Sequence, residues 1–189
     1  MRTIFDQGSF RKYSQVQLGK NTSCSQYTAG KTTVFVSYKH DDFEDLKGVL
    51  GFLEQTYDVK IYLNRFSETT RASSAKTVRN VRNQINKCDK FILLATNNAI
   101  KSQWCNWELG YGDAQKDEKH IALFPIKPKG TADSEYKGTA YMLMYPYISY
   151  FDVGETYTNG MPVEPGYYIC SHKDDNEYIT PLGEWFKER

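Results

Sequence analysis

The chain is poor in the residues that metal and disulfide chemistry need. Its four cysteines, Cys24, Cys88, Cys105 and Cys170, show no Cys-x-x-Cys spacing, and its three histidines, His40, His120 and His172, stand far apart. Neither a zinc site nor a disulfide framework is supported, so no metal and free, buried thiols are expected. An excess of either charge is also lacking: 24 Lys+Arg face 23 Asp+Glu. No global field therefore draws the chain to nucleic acid or to an acidic membrane. Long apolar runs are absent, and the opening Met1-Arg-Thr-Ile-Phe-Asp6 lacks the stretch a signal peptide requires. These absences predict a cytoplasmic protein with no nucleic-acid and no membrane partner.

Nucleotide and nucleophile signatures are missing as well. Gly110-Tyr-Gly-Asp-Ala-Gln115 begins like a dinucleotide fingerprint, but it lacks the third glycine and falls inside a helical stretch, which reads as close helix packing. No Gly-x-x-x-x-Gly-Lys-Ser/Thr loop cradles phosphate. A phosphorylated receiver would need an acid where the third strand ends, and Ala95-Thr96-Asn97 occupies that place. No Gly-x-Ser-x-Gly elbow offers a serine nucleophile.

What the sequence does have is 189 residues and 40% hydrophobic content, enough for one domain with a substantial core. Residues 1–31 are Ser-, Gln-, Gly-, Lys- and Tyr-rich without an apolar period, and read as an arm, a linker or an edge element. Thr32–Tyr38 is a β-branched and aromatic first strand, ended by polar Lys39-His-Asp-Asp42. Asp41 and Glu44 resemble a capping box for a helix in which Phe43, Leu46, Leu50 and Leu53 recur at helical spacing. Gly48 and Gly51 interrupt that helix, each at a cost of about 1 kcal/mol against Ala. Val59–Leu63 is a second strand, followed by a long polar loop, Asn64–Ser74, of the kind that often carries function.

The next helix turns Val78, Val81, Ile85 and Cys88 inward and leaves Lys76, Arg79, Arg82 and Lys87 on a solvated face. Phe91–Ala95 is continuously apolar, as a strand covered on both faces should be. His120–Ile126 and Pro146–Phe151 are the fourth and fifth strands, with a short helix expected within Thr131–Tyr145. A Gly-, Pro- and Tyr-rich insert runs from about 152 to 179, before Thr180-Pro181 starts a closing helix with Leu182, Trp185 and Phe186. Strands alternating with helices predict an α/β, flavodoxin-like three-layer domain around a central, mostly parallel five-stranded sheet.

The helix after the third strand sets Trp104 one turn from Glu108, beyond the carboxyl end of a buried strand, where open parallel sheets bind ligands. Together with Val34-Phe-Val-Ser-Tyr38 and Val59-Lys-Ile-Tyr-Leu-Asn64, the stretch Ser102-Gln-Trp-Cys-Asn-Trp-Glu-Leu109 resembles a Toll/interleukin-receptor (TIR) domain in order and register. The resemblance spans roughly Lys31 to Phe151, with a family-like final helix at Leu182–Phe186. Its most specific part is the Ser102, Trp104 and Glu108 pattern, which marks the members that cleave NAD.

The resemblance implies that Glu108 is the catalytic carboxylate of an NAD glycohydrolase or ADP-ribosyl cyclase, with NAD as substrate and no cofactor. It places nucleotide contacts at Ser37, Tyr38 and His40, and makes Asn64, Arg65 and Phe66 the start of a gating loop that also serves self-association. Phe66 could stack on a base and Arg65 could meet a phosphate, or both could serve assembly alone. Trp104 is expected to shape the pocket, Trp107 to pack on the sheet, and His40 to be a satisfied polar side chain. The likeness extends to prokaryotic antiphage enzymes, which implies a separate effector protein that senses the product. Two other readings remain: a noncatalytic TIR adaptor acting by homotypic contact, and a nucleoside deoxyribosyltransferase-like enzyme.

Overall fold

The computed structural model describes residues 4–14, 30–63, 75–174 and 176–188. Eight strands form one sheet: β1 (Phe5–Asp6), β2 (Thr33–Ser37), β3 (Lys60–Leu63), β4 (Lys90–Thr96), β5 (Ile121–Lys127), β6 (Tyr147–Phe151), β7 (Gly166–Lys173) and β8 (Asn176–Pro181). The order is β3-β2-β4-β5-β6-β7-β8. From β3 to β6 every pairing is parallel, with Val34 opposite Ile61, Phe35 opposite Phe91, and Leu93 opposite Leu123. That is the doubly wound, flavodoxin-like order. The five expected strands, β2 to β6, form this parallel part, and three more bring the sheet to eight among the described residues. The Tyr-rich insert holds an antiparallel hairpin, β7 and β8, that continues the sheet beyond β6. In addition, β1 lies parallel beside β5 at Ile126 and Lys127.

The helices are α1 (Phe43–Tyr57), α2 (Ala75–Lys87), α3 (Asn97–Lys101), α4 (Gln103–Gln115), α5 (Thr139–Met144) and α6 (Leu182–Lys187). Strand residues alternate between two faces, and each face has its own core. Val34, Val36, Ile92 and Leu94 pack with α1 and α6, whereas Phe35, Phe91, Leu93 and Ala95 pack with α2 and α4. Three layers result. Cys88, Cys105 and Cys170 are buried and form no disulfide among the described residues, and Gly112, not Gly110, brings α4 close to the sheet: a Cβ on it would lie 3.2 Å from the Phe91 ring.

The two glycines that weaken α1 as a helix have a packing cause. Residues 4–14 lie across α1, with Phe5 and Phe10 buried among Phe52, Phe124 and Tyr167. A Cβ on Gly48 would stand 2.6 Å from the Phe10 carbonyl oxygen, and one on Gly51 would stand 2.1 Å from that of Tyr13. The helix is notched so that the backbone of the amino-terminal segment can touch it. Gly110 on α4 meets nothing within 4 Å. Gly110→Ala should therefore raise stability by about 0.5–1 kcal/mol. Gly51→Ala should lower it by about 1–3 kcal/mol, since overpacking exceeds the helix-propensity gain. Urea unfolding of the two variants checks the opposite signs.

At the amino end of β4, Lys90 is fully buried, and its Nζ lies 4.6 Å from the centre of the Trp185 ring. Among the described residues its ammonium has no hydrogen-bond partner. Burial lowers its pKa from 10.5 to about 8, against the pull of Glu188 and Asp89. Between those values the unfolded chain holds a proton that the folded chain has released, so stability gains as pH rises through the window. Lys90→Met keeps an apolar contact with Trp185 and removes the charge. It should be more stable than the parent at pH 7 by about 1–3 kcal/mol, and the gap should narrow toward pH 10. A gap independent of pH in paired denaturation curves would contradict this account.

Candidate active site

The order β3-β2-β4 creates a switch point. From β2 the chain leaves through α1 to β3 on one side, and from β4 it leaves through α3 and α4 to β5 on the other. The connections diverge at the carboxyl ends of β2 and β4, the edge at which folds of this order hold their ligands.

Ser37 ends β2 and shares a face with Phe35, the face that α4 covers. β4 ends at Thr96, whose Oγ1 accepts the backbone N–H of Ala99 at 3.0 Å and so starts α3. Ser102 repeats the device for α4, its Oγ accepting from the Cys105 N–H at 3.3 Å. These two caps set the phase of α4. Trp104 falls in its first turn and Glu108 four residues later on the same face.

Glu108 is 1% exposed. Trp104 Nε1 donates to its Oε1 at 2.6 Å, and Ser37 Oγ donates to its Oε2 at 2.5 Å. One donor comes from the helix that carries the acid and the other from the end of β2. Each carboxylate oxygen offers two acceptor positions, so neither donor alone fills an oxygen. Such an anion, held in a fixed orientation away from bulk water, can bind hydroxyls and favour a neighbouring positive charge.

Along α4 the aromatic rings continue. Trp104 and Trp107 are 4.8 Å apart, Trp107 and Tyr111 are 6.0 Å apart, and the Arg82 guanidinium of α2 lies 5.8 and 5.2 Å from the last two. Trp107 is half-buried, packed as expected against the core on this face of the sheet, and it also lies between two rings under an arginine. Arg82, expected on a solvated face, covers it.

Of the other expected contacts, Tyr38 and His40 are among the described residues and lie elsewhere. Tyr38 is buried in the core on the α1 side, away from the face that carries Glu108. His40 is exposed in a 3-10 turn before α1, its ring 6.4 Å from that of Phe43. Asn64, Arg65 and Phe66 lie outside the described residues. Ser37, Trp104 and Glu108 are therefore the residues brought together. A cavity of about 560 Å³ lies elsewhere, at the amino ends of β5 and β6, between the β7–β8 hairpin and Trp185 of α6.

The structure also adds a second acid that the sequence did not single out. Asp42 is 3% exposed; Thr96 Oγ1 donates to its Oδ2 at 2.5 Å and Asn98 Nδ2 to its Oδ1 at 2.8 Å. Burial pushes its carboxyl above the usual carboxylate value, and these hydrogen bonds oppose the shift. The helix starts one residue later than a capping box of Asp41 and Glu44 would place it: its N-cap is Asp42, whose side chain makes no cap. The available signal was Thr96-Asn97-Asn98 at the end of a buried strand, a polar cluster that needs partners. Among the described residues, no group of three or more His, Cys, Asp or Glu side chains could hold a metal ion, and no helix is long and apolar enough to cross a membrane.

A three-layer domain with a buried carboxylate at its switch point is the class these features define. The TIR domain pattern matches residues 34–159, more than half of the chain, and the chain belongs to the TIR domain family. It is 25% identical over 164 residues to a Bacillus cereus (strain MSX-D12) protein named "Probable 3' cyclic ADP-D-ribose synthase ThsB'", covering 78% of this chain and 83% of that protein. A crystal structure of a prokaryotic SEFIR domain is also similar, at 17% identity and a TM-score of 0.37, over 56% of this chain and 73% of that one.

Removing one donor from a buried carboxylate should cost about 1–3 kcal/mol. Ser37→Ala and Trp104→Phe should each lose that much in urea unfolding, and the double variant should depart from their sum by more than about 0.5 kcal/mol. Strict additivity would mean that the two donors are not coupled through the Glu108 carboxylate.

Proposed function

We propose that this TIR domain cleaves the bond between nicotinamide and ribose in NAD, with Glu108 as the catalytic carboxylate. The observation that carries the reading is the double hydrogen bonding of a buried acid at the switch point, by Trp104 and by Ser37. The chemistry suits a single acid. The bonding pair of the N-glycosidic bond passes to the pyridinium ring, so nicotinamide leaves neutral and needs no proton. Ordinary glycosidases use a second carboxyl group partly to protonate their leaving group. Here the carboxylate would accept hydrogen bonds from ribose hydroxyls and favour the cation developing at the anomeric carbon. An acceptor oxygen or nitrogen then bonds to that carbon and releases a proton.

The similarity to a probable cyclic ADP-ribose synthase favours an acceptor within the same molecule, giving a cyclic ADP-ribose isomer. Water or a small acceptor would give ADP-ribose or a conjugate by the same route. In this reading Ser37 and Trp104 orient Glu108, while Asn64, Arg65 and Phe66 cover the bound dinucleotide. No cofactor or metal enters the reaction. A role in antiphage defence, in the cytoplasm, would pair the enzyme with a separate effector protein that senses its product, and TIR surfaces would support self-association.

Purified protein at high concentration, incubated with NAD and analysed by chromatography, should release nicotinamide. Glu108→Gln should retain the circular dichroism of the parent and lose activity by about 100-fold or more. Equal turnover by both proteins would remove Glu108 from its role. Self-association of the parent without any nicotinamide release would favour the adaptor reading, and consumption of nucleosides instead of NAD would favour the transferase.

A further inference from the structure

The residue before a helix usually turns an Asp side chain inward to cap that helix, a contact worth about 1 kcal/mol. Asp42 precedes α1 and makes no such cap. Its carboxylate instead reaches the segment after β4, where Thr96 Oγ1 and Asn98 Nδ2 each donate to one of its oxygens. Thr96 Oγ1 accepts from the Ala99 N–H, which leaves its own proton to point at Asp42. Asn106 Nδ2 of α4 donates to the Ile100 carbonyl at 3.0 Å and joins α3 to α4. Polar contacts thus tie the start of α1 to the β4–α3 junction, and α3 in turn to the helix that bears Trp104 and Glu108.

We infer that Asp42 is a positioning residue for Glu108, acting as one of two grips by which the segment after β2 holds the α3–α4 unit. Ser37 is the other grip and binds Glu108 directly. The two grips lie five residues apart, Ser37 at the end of β2 and Asp42 in the turn before α1, and hold the helix pair at two separate points, the β4–α3 junction through Thr96 and Asn98 and α4 through Glu108 itself. One point would allow the pair to pivot; two fix its rotation and hence the direction of the carboxylate. Burial makes the arrangement stiff, since a buried carboxylate that loses a donor has no water to replace it. The catalytic part of this inference rests on Glu108 being the acid that cleaves NAD; the structural part does not.

The test uses the full chain with 15N-labelled tryptophan. The Trp104 indole N–H reports its hydrogen bond to Glu108, and the Trp185 indole, which donates to the Lys119 carbonyl at the opposite end of the sheet, serves as the control. Asp42→Asn and Thr96→Val should shift the Trp104 resonance and leave that of Trp185 in place, and Thr96→Ser should restore the parent position. Asn98→Ala, at an exposed site that does not threaten folding, should give a smaller shift in the same direction. In NAD cleavage, Thr96→Val should lower kcat by about 10-fold with KM within about 2-fold, and Thr96→Ser should recover the rate. An unmoved Trp104 resonance in folded Asp42→Asn and Asn98→Ala would overturn the inference, as would a shifted resonance with unchanged kcat. If the parent itself releases no nicotinamide, the assigned activity fails, while the resonances still decide whether Asp42 orients the Trp104–Glu108 pair.

Discussion

Burying a carboxylate is costly unless its oxygens are met by donors, and the candidate site is built around meeting that cost at Glu108. Trp104 can reach it only because Ser102 sets the phase of α4, and Ser37 only because β2 delivers it on the α4 face. The doubly wound order then brings strand end and helix to the same edge. The result is a carboxylate fixed in direction at the carboxyl edge of the sheet. Such preorganisation suits a reaction whose main demand is support for a sugar cation.

The same parts of the fold serve stability and the site together. Thr96 ends the central strand, caps α3 and donates to Asp42; Asn97 Oδ1 accepts the Lys137 N–H at 2.9 Å, and Tyr136 donates to the Ala95 carbonyl at 2.7 Å. The carboxyl end of β4 is therefore tied on several sides. By contrast, the amino end of that strand carries Lys90, a buried ammonium facing an indole, far from the acid. The two ends of β4 obey different rules. One is rich in matched hydrogen bonds, and the other accepts a desolvated charge softened by a ring.

The central strands and the site helix were legible because their signals are local. Continuous apolar character marked β4, a β-branched run marked β2, and the four-residue spacing of Trp104 and Glu108 placed both on one helix face. What escaped depends on distant partners. The β7–β8 hairpin was hidden because its tyrosines and flanking Gly and Pro resemble a loop until β6 is seen to pair with it. Gly48 and Gly51 looked like flaws in a helix, and only the backbone of residues 10 and 13 gives them a purpose. Asp42 read only as part of the polar stretch that ends the first strand; its partners lie 54 and 56 residues on. Tyr38 sits next to a site residue in sequence yet faces the opposite core, since neighbours on a strand point apart.

The amino-terminal segment and the hairpin give the molecule a larger outline than its family match. A fragment trimmed to residues 34–159 would strip Phe5 and Phe10 from Phe52 and Phe124, and would discard Leu182, Trp185 and Phe186 from beneath the sheet. Freshly bared aromatic surface of that kind invites clumping. The smallest autonomous piece of this protein therefore extends past both borders of the recognised module, and borders for shorter versions are better drawn by the reach of the core than by sequence similarity.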